Sequence, residues 1–199
     1  MFVQVFSGRV ADGAALHRQF ERWATDVRPE AVGFLGSTAG ITTKGLFVAL
    51  VRFESEQSAR ANSERPEQAA WWDETERCFD GPVAFRESDD LDLLGKGGSD
   101  NASFVQVIEG QTSNRARFME LERQIEKGFI NERPDFIGSM LVWWPEGTWL
   151  EVAYFSSEAE TRAAEQRGLS NHLTELFSEW QALAAPSSYR DLSEPWLLS

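Results

Sequence analysis

The chain repeats itself. Phe2-Val3-Gln4-Val5 returns as Phe104-Val105-Gln106-Val107, 102 positions later in a sequence of 199 residues. At the same offset Gly8 meets Gly110, Phe34-Leu35-Gly36-Ser37 meets Phe136-Ile137-Gly138-Ser139, and Phe53-x-Ser55-Glu56 meets Phe155-x-Ser157-Glu158. Toward the ends the offset drifts to 104, where Phe85-Arg86 meets Tyr189-Arg190 and Leu93-Leu94 meets Leu197-Leu198. Matches held in register over a whole chain mark a duplicated unit of about 95 residues. This predicts repeat 1 over 1–95, repeat 2 over 103–199 and a linker over 96–102, whose glycines and small polar residues suit a flexible connection.

Within each repeat the periodicity changes in a fixed order. Phe2 to Val10 reads as a strand, and Asp12 sits where a helix N-cap belongs. Leu16, Phe20, Trp23 and Val27 then recur at helical spacing until Arg28-Pro29 stops them. Strands follow over about 32–42 and 46–53 around the turn Thr43-Lys44-Gly45. Ser55 opens a second helix, interrupted at Pro66 and resumed to Phe79, and Val83 to Glu87 reads as a fourth strand. The second repeat has stripes at Phe118, Leu121, Ile125, Phe129 and at Leu169, Leu173, Leu176, Trp180, a hairpin turn at Pro145-Glu146-Gly147, and a capping box at Ser157-x-x-Glu160. The order β-α-β-β-α-β is ferredoxin-like. The strands Leu46–Val51 and Trp149–Phe155 are apolar on both alternating faces, so helices are expected to cover one face of each sheet and the other repeat's sheet the second. The fold class is therefore α+β: two tandem ferredoxin-like repeats closing an intrachain α+β barrel.

Composition excludes several functions. A net charge of −13 disfavours nucleic acid and anionic membranes as partners. No apolar run is long enough to span a bilayer, and no signal peptide is evident at Met1-Phe2-Val3. Cys78 is the single cysteine, which rules out an intrachain disulfide and a thiolate metal cluster. There is no phosphate loop, HExxH, CxxC or GxSxG. Arginine far outnumbers lysine, which suits a GC-rich bacterial source, and a cytoplasmic protein is the expectation.

Two steps, Arg52-Phe53-Glu54-Ser55-Glu56 with Tyr154-Phe155-Ser156-Ser157-Glu158, and Gly33-Phe34-Leu35-Gly36 with Phe136-Ile137-Gly138, give the chain a resemblance to the dimeric α+β barrel superfamily, and within it to the antibiotic biosynthesis monooxygenase-like domains. The resemblance covers nearly the whole chain. It implies that one chain carries the two halves that most members bring together by dimerising, so the protein would be a monomer with an internal pseudo-dimer, or a homodimer of it. It also implies cofactor-independent oxygenation of electron-rich aromatic molecules, or, in another branch, haem degradation with a histidine late in the second helix as the iron ligand. His172 borders that helix's stripe and is the candidate.

Several residues stand out against their segments. The pairs Trp71-Trp72 and Trp143-Trp144 can pack the core or wall a flat apolar ligand. Gln4 and Gln106 are polar residues at one place in both first strands, suited to pinning the halves together or to a ligand contact. Glu151 replaces Ala49 of the first repeat; inside a sheet it would be a general base, and at an edge merely solvated. Arg52 and Tyr154 face one another in the repeat alignment, and Arg52 could stabilise an anionic intermediate. His17 reads as a solvated helix position, and the acidic run Glu87 to Asp92 as a solvated strand exit rather than a cation site. The reading is a monooxygenase-like protein acting on a flat aromatic small molecule without metal or flavin, with Glu151, Arg52 and Tyr154 as catalytic candidates. The alternatives are a haem protein using His172 and a non-enzymatic small-ligand or structural barrel.

Overall fold

The protein is described by a computed structural model over residues 1–97, 100–184 and 187–199. Of the expected linker over 96–102, residues 98 and 99 lie outside the described residues. Repeat 1 runs β1 (Phe2–Arg9), α1 (Gly13–Arg22), β2 (Phe34–Ile41), β3 (Leu46–Phe53), α2 (Glu56–Ser63), α3 (Pro66–Thr75), β4 (Ala84–Ser88) and β5 (Leu91–Gly95). Repeat 2 runs β6 (Phe104–Gln111), α4 (Arg115–Glu132), β7 (Phe136–Trp143), β8 (Thr148–Phe155), α5 (Glu158–Arg167), α6 (Asn171–Ala184), β9 (Ser188–Leu192) and β10 (Trp196–Leu198). The expected β-α-β-β-α-β order is present in both, with a fifth strand added to each.

Local chemistry explains the boundaries. Asp12 and Asn114, equivalent in the two repeats, cap α1 and α4 by accepting from the N–H groups of Ala15 at 2.9 Å and Arg117 at 3.2 Å. Ser55 and Ser157 do the same for α2 and α5. Pro66 occupies the first turn of α3, where its missing N–H costs nothing, and so divides the second helix in two. The second hairpin turn places Gly147 at φ 73°, where a Cβ would lie 2.0 Å from the Thr112 carbonyl oxygen, so no other residue fits.

The two sheets are wholly antiparallel, in the orders β10-β2-β3-β1-β4 and β5-β7-β8-β6-β9. Each repeat's fifth strand therefore joins the sheet built from the other repeat. The compact units follow the sheets: unit 1 is Met1–Asp89 with Glu194–Ser199, and unit 2 is Asp90–Ser193. The units do not coincide with the repeats, because β5 and β10 belong by hydrogen bonding to the sheet of the other repeat. Glycine makes the pairing feasible. β2 and β7 each carry a register shift, between Phe34 and Gly36 and between Phe136 and Gly138. A Cβ on Gly36 would lie 2.8 Å from the Leu198 carbonyl oxygen of β10, and one on Gly138 2.7 Å from the Leu94 carbonyl oxygen of β5.

Both alternating side-chain sets of β3 and β8 are buried over Phe47–Leu50 and Trp149–Phe155. One set meets the helices of its own unit. In unit 1, Phe6, Ala39, Phe47 and Ala49 pack with Leu16, Cys78 and Phe79. In unit 2, Ile108, Leu141, Trp143 and Trp149 pack with Phe118, Leu121, Ile125, Leu173 and Trp180. β10 adds Trp196 to the core of unit 1, where its ring lies 5.4 Å from Phe20 and 5.7 Å from Phe47. The Arg28 guanidinium donates to the Ser199 carbonyl oxygen at 2.9 Å and holds the end of the strand.

Replacing Trp196 by alanine removes that wedge and leaves β10 held by its pairing with β2, by Leu198 and by Arg28. The expected result is a loss of about 2–4 kcal/mol, read as a lower melting temperature, together with faster amide exchange along β2. A melting temperature and β2 exchange equal to the parent's would show that the terminal strand contributes nothing to unit 1.

Candidate functional site

Each unit encloses a cavity between its sheet and its helices, and the two occupy equivalent places. Gln4, Ser37 and Phe53 line the first, and their repeat partners Gln106, Ser139 and Phe155 line the second. Strand parity puts these residues on the helix-facing side of each sheet. What lines the rest of each cavity differs between the units.

The cavity of unit 1 is about 660 Å³ and is walled by Phe6, Phe20, Trp23, Trp71, Trp72 and Trp196. The rings brace one another: Phe6 meets Trp72 edge-on at 5.6 Å, and Phe20 meets Trp71 at 5.6 Å. Two indole N–H groups are tied to amide carbonyls, Trp23 to the Gln68 side chain and Trp71 to the Gln19 backbone, each at 2.7 Å. These bonds fix the ring planes and leave apolar faces toward the space. Gln4 donates to Glu87 at 2.9 Å from the sheet side of the cavity. His17 lies at the exposed rim, stacked 4.6 Å from Trp196.

The cavity of unit 2 is about 470 Å³. Phe129 and Phe177 stack at 5.8 Å, and Trp180 lies 5.8 Å beyond Phe177. Here two carboxyl groups face the interior, Glu122 from α4 and Glu151 from β8, only 6% and 7% exposed. The positions 102 residues earlier are Phe20 and Ala49, so the second unit carries an acidic pair where the first has an apolar one. Burial, and after it the charge of Glu151, holds the Glu122 carboxyl well above the usual carboxylate range, against the N–H that Trp180 donates to it. Burial likewise raises Glu151. The Ser139 hydroxyl is near enough to Glu151 to moderate that rise, but it is not in hydrogen-bonding geometry with any group. Two carboxyl groups so placed titrate as a pair and cannot both be charged at little cost.

The candidate residues distribute unevenly over these sites. Trp71, Trp72 and Gln4 line the cavity of unit 1, and Glu151 and Gln106 that of unit 2, where Gln106 donates to Asp191 at 3.1 Å. Tyr154 is fully buried but lies three residues from Glu151, an odd step along a strand, and so points to the opposite face of β8. Arg52 is its repeat partner on β3, packed against Gly36, and lines neither cavity. Trp143 belongs to the core: its indole donates to Asp92 at 3.2 Å and Arg115 lies over its ring at 4.4 Å. Trp144 is half-buried past the end of β7, and its backbone N–H donates to Thr148. His172 is exposed on α6 and lines neither cavity. Among the described residues no group of three or more His, Cys, Asp or Glu side chains could hold a metal ion, and no helix is long and apolar enough to cross a membrane.

Glu122 and Trp196 are cavity residues that the sequence reading did not single out, and His17, read there as a solvated helix position, is exposed but lines the rim. Glu122 carried a signal: it lies four residues after Phe118 and three before Ile125, on the apolar stripe itself, and its repeat partner is Phe20.

The fold is that of known structures. Over its full length the chain matches the structure of a proposed monooxygenase from Fusobacterium nucleatum with a TM-score of 0.79, 11% identity and 94% of that chain covered. It matches one from Lactobacillus acidophilus at 0.74, with 10% identity and 99% covered, and an anthrone oxidase-like protein at 0.66, with 7% identity and 91% covered. The protein thus shares the α+β fold of these structures over its whole length, with two five-stranded antiparallel sheets in one chain. At these identities the likeness is one of fold. No family model and no curated protein matches the sequence.

The buried pair predicts a pH dependence of stability. A carboxyl group whose value is raised on folding contributes fully below the ordinary glutamate range, and that contribution is lost as pH rises through the raised value. Glu122→Gln keeps a carbonyl oxygen for Trp180 and removes the titration. The variant should melt about 2–6 °C above the parent at about pH 8, with the gap closing by about pH 4. Equal pH profiles for variant and parent would contradict the assignment.

Proposed function

We propose that the protein is a monooxygenase-like enzyme that holds a flat aromatic small molecule in the cavity of unit 1 and oxidises it with dioxygen, without a resident metal or flavin. The observation that carries this reading is the aromatic wall: Trp23 and Trp71 locked by their N–H groups, with Phe6, Phe20, Trp72 and Trp196, around about 660 Å³. That volume is in the range of small-molecule sites and takes a fused tricyclic ring system. Rigid ring faces favour a planar apolar guest, because they bury its area at little cost in ordering.

The chemistry needs a substrate whose own anion supplies the electrons. In an activated methylene a C–H proton is removed, the carbanion gives its electrons to dioxygen to form a C–O bond, and loss of one water leaves a carbonyl; one O₂ enters and one H₂O leaves. The chain must bind the ring and accept the proton. His17 is the titratable side chain we assign to that step, since it lines the rim of the cavity and is stacked on Trp196, and imidazole is the usual general base. Arg52 and Tyr154 line neither cavity and have no part in this reading, and Glu151 serves the other cavity.

The test uses anthrone, a tricycle with one activated methylene. Oxygen uptake and anthraquinone formation by chelator-treated protein should exceed the spontaneous rate. Trp72→Ala should raise KM about tenfold or more, the loss expected when an aromatic wall of the site is removed. His17→Ala should lower kcat by about 10²-fold while binding persists, the size of a general-base contribution. Failure of anthrone to quench the tryptophan fluorescence of the parent would reject the site, and binding without oxygen uptake would reject the chemistry.

A further inference from the structure

The cavity of unit 2 is not a second copy of the first. It keeps the framework residues Gln106, Ser139 and Phe155, yet sets two carboxyl groups where unit 1 has Phe20 and Ala49. Burying carboxyl groups in an apolar space is costly unless a cation or several donors meet them. Among the described residues lining the cavity, no cationic side chain pairs with either carboxyl group. Arg133, the cationic residue on the wall, is engaged by Asp135 through two hydrogen bonds of 3.0 and 2.7 Å. The other titratable groups lining the space are Glu126, which accepts from the Gly95 N–H, Glu165 at the exposed rim paired with Arg162, and Tyr189. The Ser139 hydroxyl is fully buried, near enough to Glu151 to lower its carboxyl slightly, yet outside hydrogen-bonding geometry with any described group. Glu122 has one donor, the Trp180 indole. The site thus presents acceptors in excess of donors, surrounded by the faces of Phe129, Phe177 and Trp180.

We propose that this cavity is a binding site for a cationic ligand, a primary amine carrying a small aromatic body, whose ammonium group seats between Glu122 and Glu151. An ammonium has three donors and no acceptor, which matches two carboxyl oxygens and the Ser139 oxygen. Its positive charge is also attracted to aromatic faces. About 470 Å³ accommodates one or two fused rings with a short chain. In this proposal the pair shares a proton before binding, because burial and mutual repulsion disfavour two charges. The incoming ammonium supplies the missing positive charge, so that proton leaves: one cation enters and up to one proton goes to solvent.

The proposal concerns a different cavity from the aromatic site of unit 1 and stands or falls separately. It is tested by calorimetric titration of the full chain near neutral pH with tryptamine, with tryptophol as the neutral isostere, and with indole-3-acetate as the anion. Each titration is run in two buffers of different ionisation enthalpy. Tryptamine should bind about tenfold or more tighter than tryptophol, indole-3-acetate should be excluded, and the buffer dependence should report proton release. Glu151→Gln and Glu122→Gln should each weaken tryptamine about tenfold or more, the scale of losing one charge-assisted hydrogen bond. Glu122→Gln should also abolish the proton release. Both changes are isosteric, and thermal melts verify that the variants fold. Tryptophol binding as tightly as tryptamine would overturn the proposal. So would tryptamine binding that is unchanged in the double variant, binding without proton release, or no binding of tryptamine at millimolar concentration.

Discussion

Both units depend on an edge pairing that the chain makes with a distant part of itself. β10 completes the sheet of unit 1 beside β2, and β5 completes that of unit 2 beside β7. The pairing requires close backbone approach at the register shifts in β2 and β7, and Gly36 and Gly138 make room for it by lacking a Cβ. The consequence reaches the cavities. Trp196 and Leu198 arrive on β10 as part of the wall of unit 1, and Leu94 arrives on β5 as part of the wall of unit 2. Neither cavity is complete until the exchanged strand is seated. Pairing also covers an exposed row of backbone donors and acceptors that would otherwise invite association.

On that common frame the two halves have taken different chemical characters. Duplication inside one chain lets each cavity change without the other. Unit 1 has apolar residues at Phe20 and Ala49 and indoles whose N–H groups are satisfied by amide carbonyls. Unit 2 has put charge there, at a cost in stability visible in the raised carboxyl values. Neutral rings and paired carboxyl groups select different guests, because desolvating a planar apolar molecule is favourable while desolvating an ion is not unless a counter-charge waits for it. The same geometry at two equivalent places therefore need not mean two equal sites.

Much of the site was legible in strand parity and in the repeat. Gln4 and Gln106 fall on the helix-facing side of β1 and β6 and line the two cavities. Parity also separates Glu151 from Tyr154: an odd step along β8 sends them to opposite faces, so they could not share one cavity. Adjacent tryptophans behaved differently according to element. Trp71 and Trp72 on α3 both reach the cavity, since neighbours on a helix diverge by only about 100°. Trp143 enters the core of unit 2, and Trp144 lies beyond the strand. His172 borders an apolar stripe in sequence, yet the buried side of α6 is taken by Leu173, Leu176 and Trp180, leaving the imidazole outside.

The sequence by itself determined the duplication, the element order, the helix starts at Asp12, Ser55 and Ser157, and the glycine turn at Gly147. These are local matters of hydrogen-bonding geometry, backbone conformation and side-chain period, and a few neighbouring residues suffice to set them. Only the tertiary structure decided which sheet each fifth strand joins, because edge pairing is made by backbone groups that every residue carries. Only it decided the character of Glu122 as well. A glutamate on a helical stripe is ordinary until it is found buried together with Glu151 from another element, and desolvation is a property of the whole surroundings rather than of any stretch of chain.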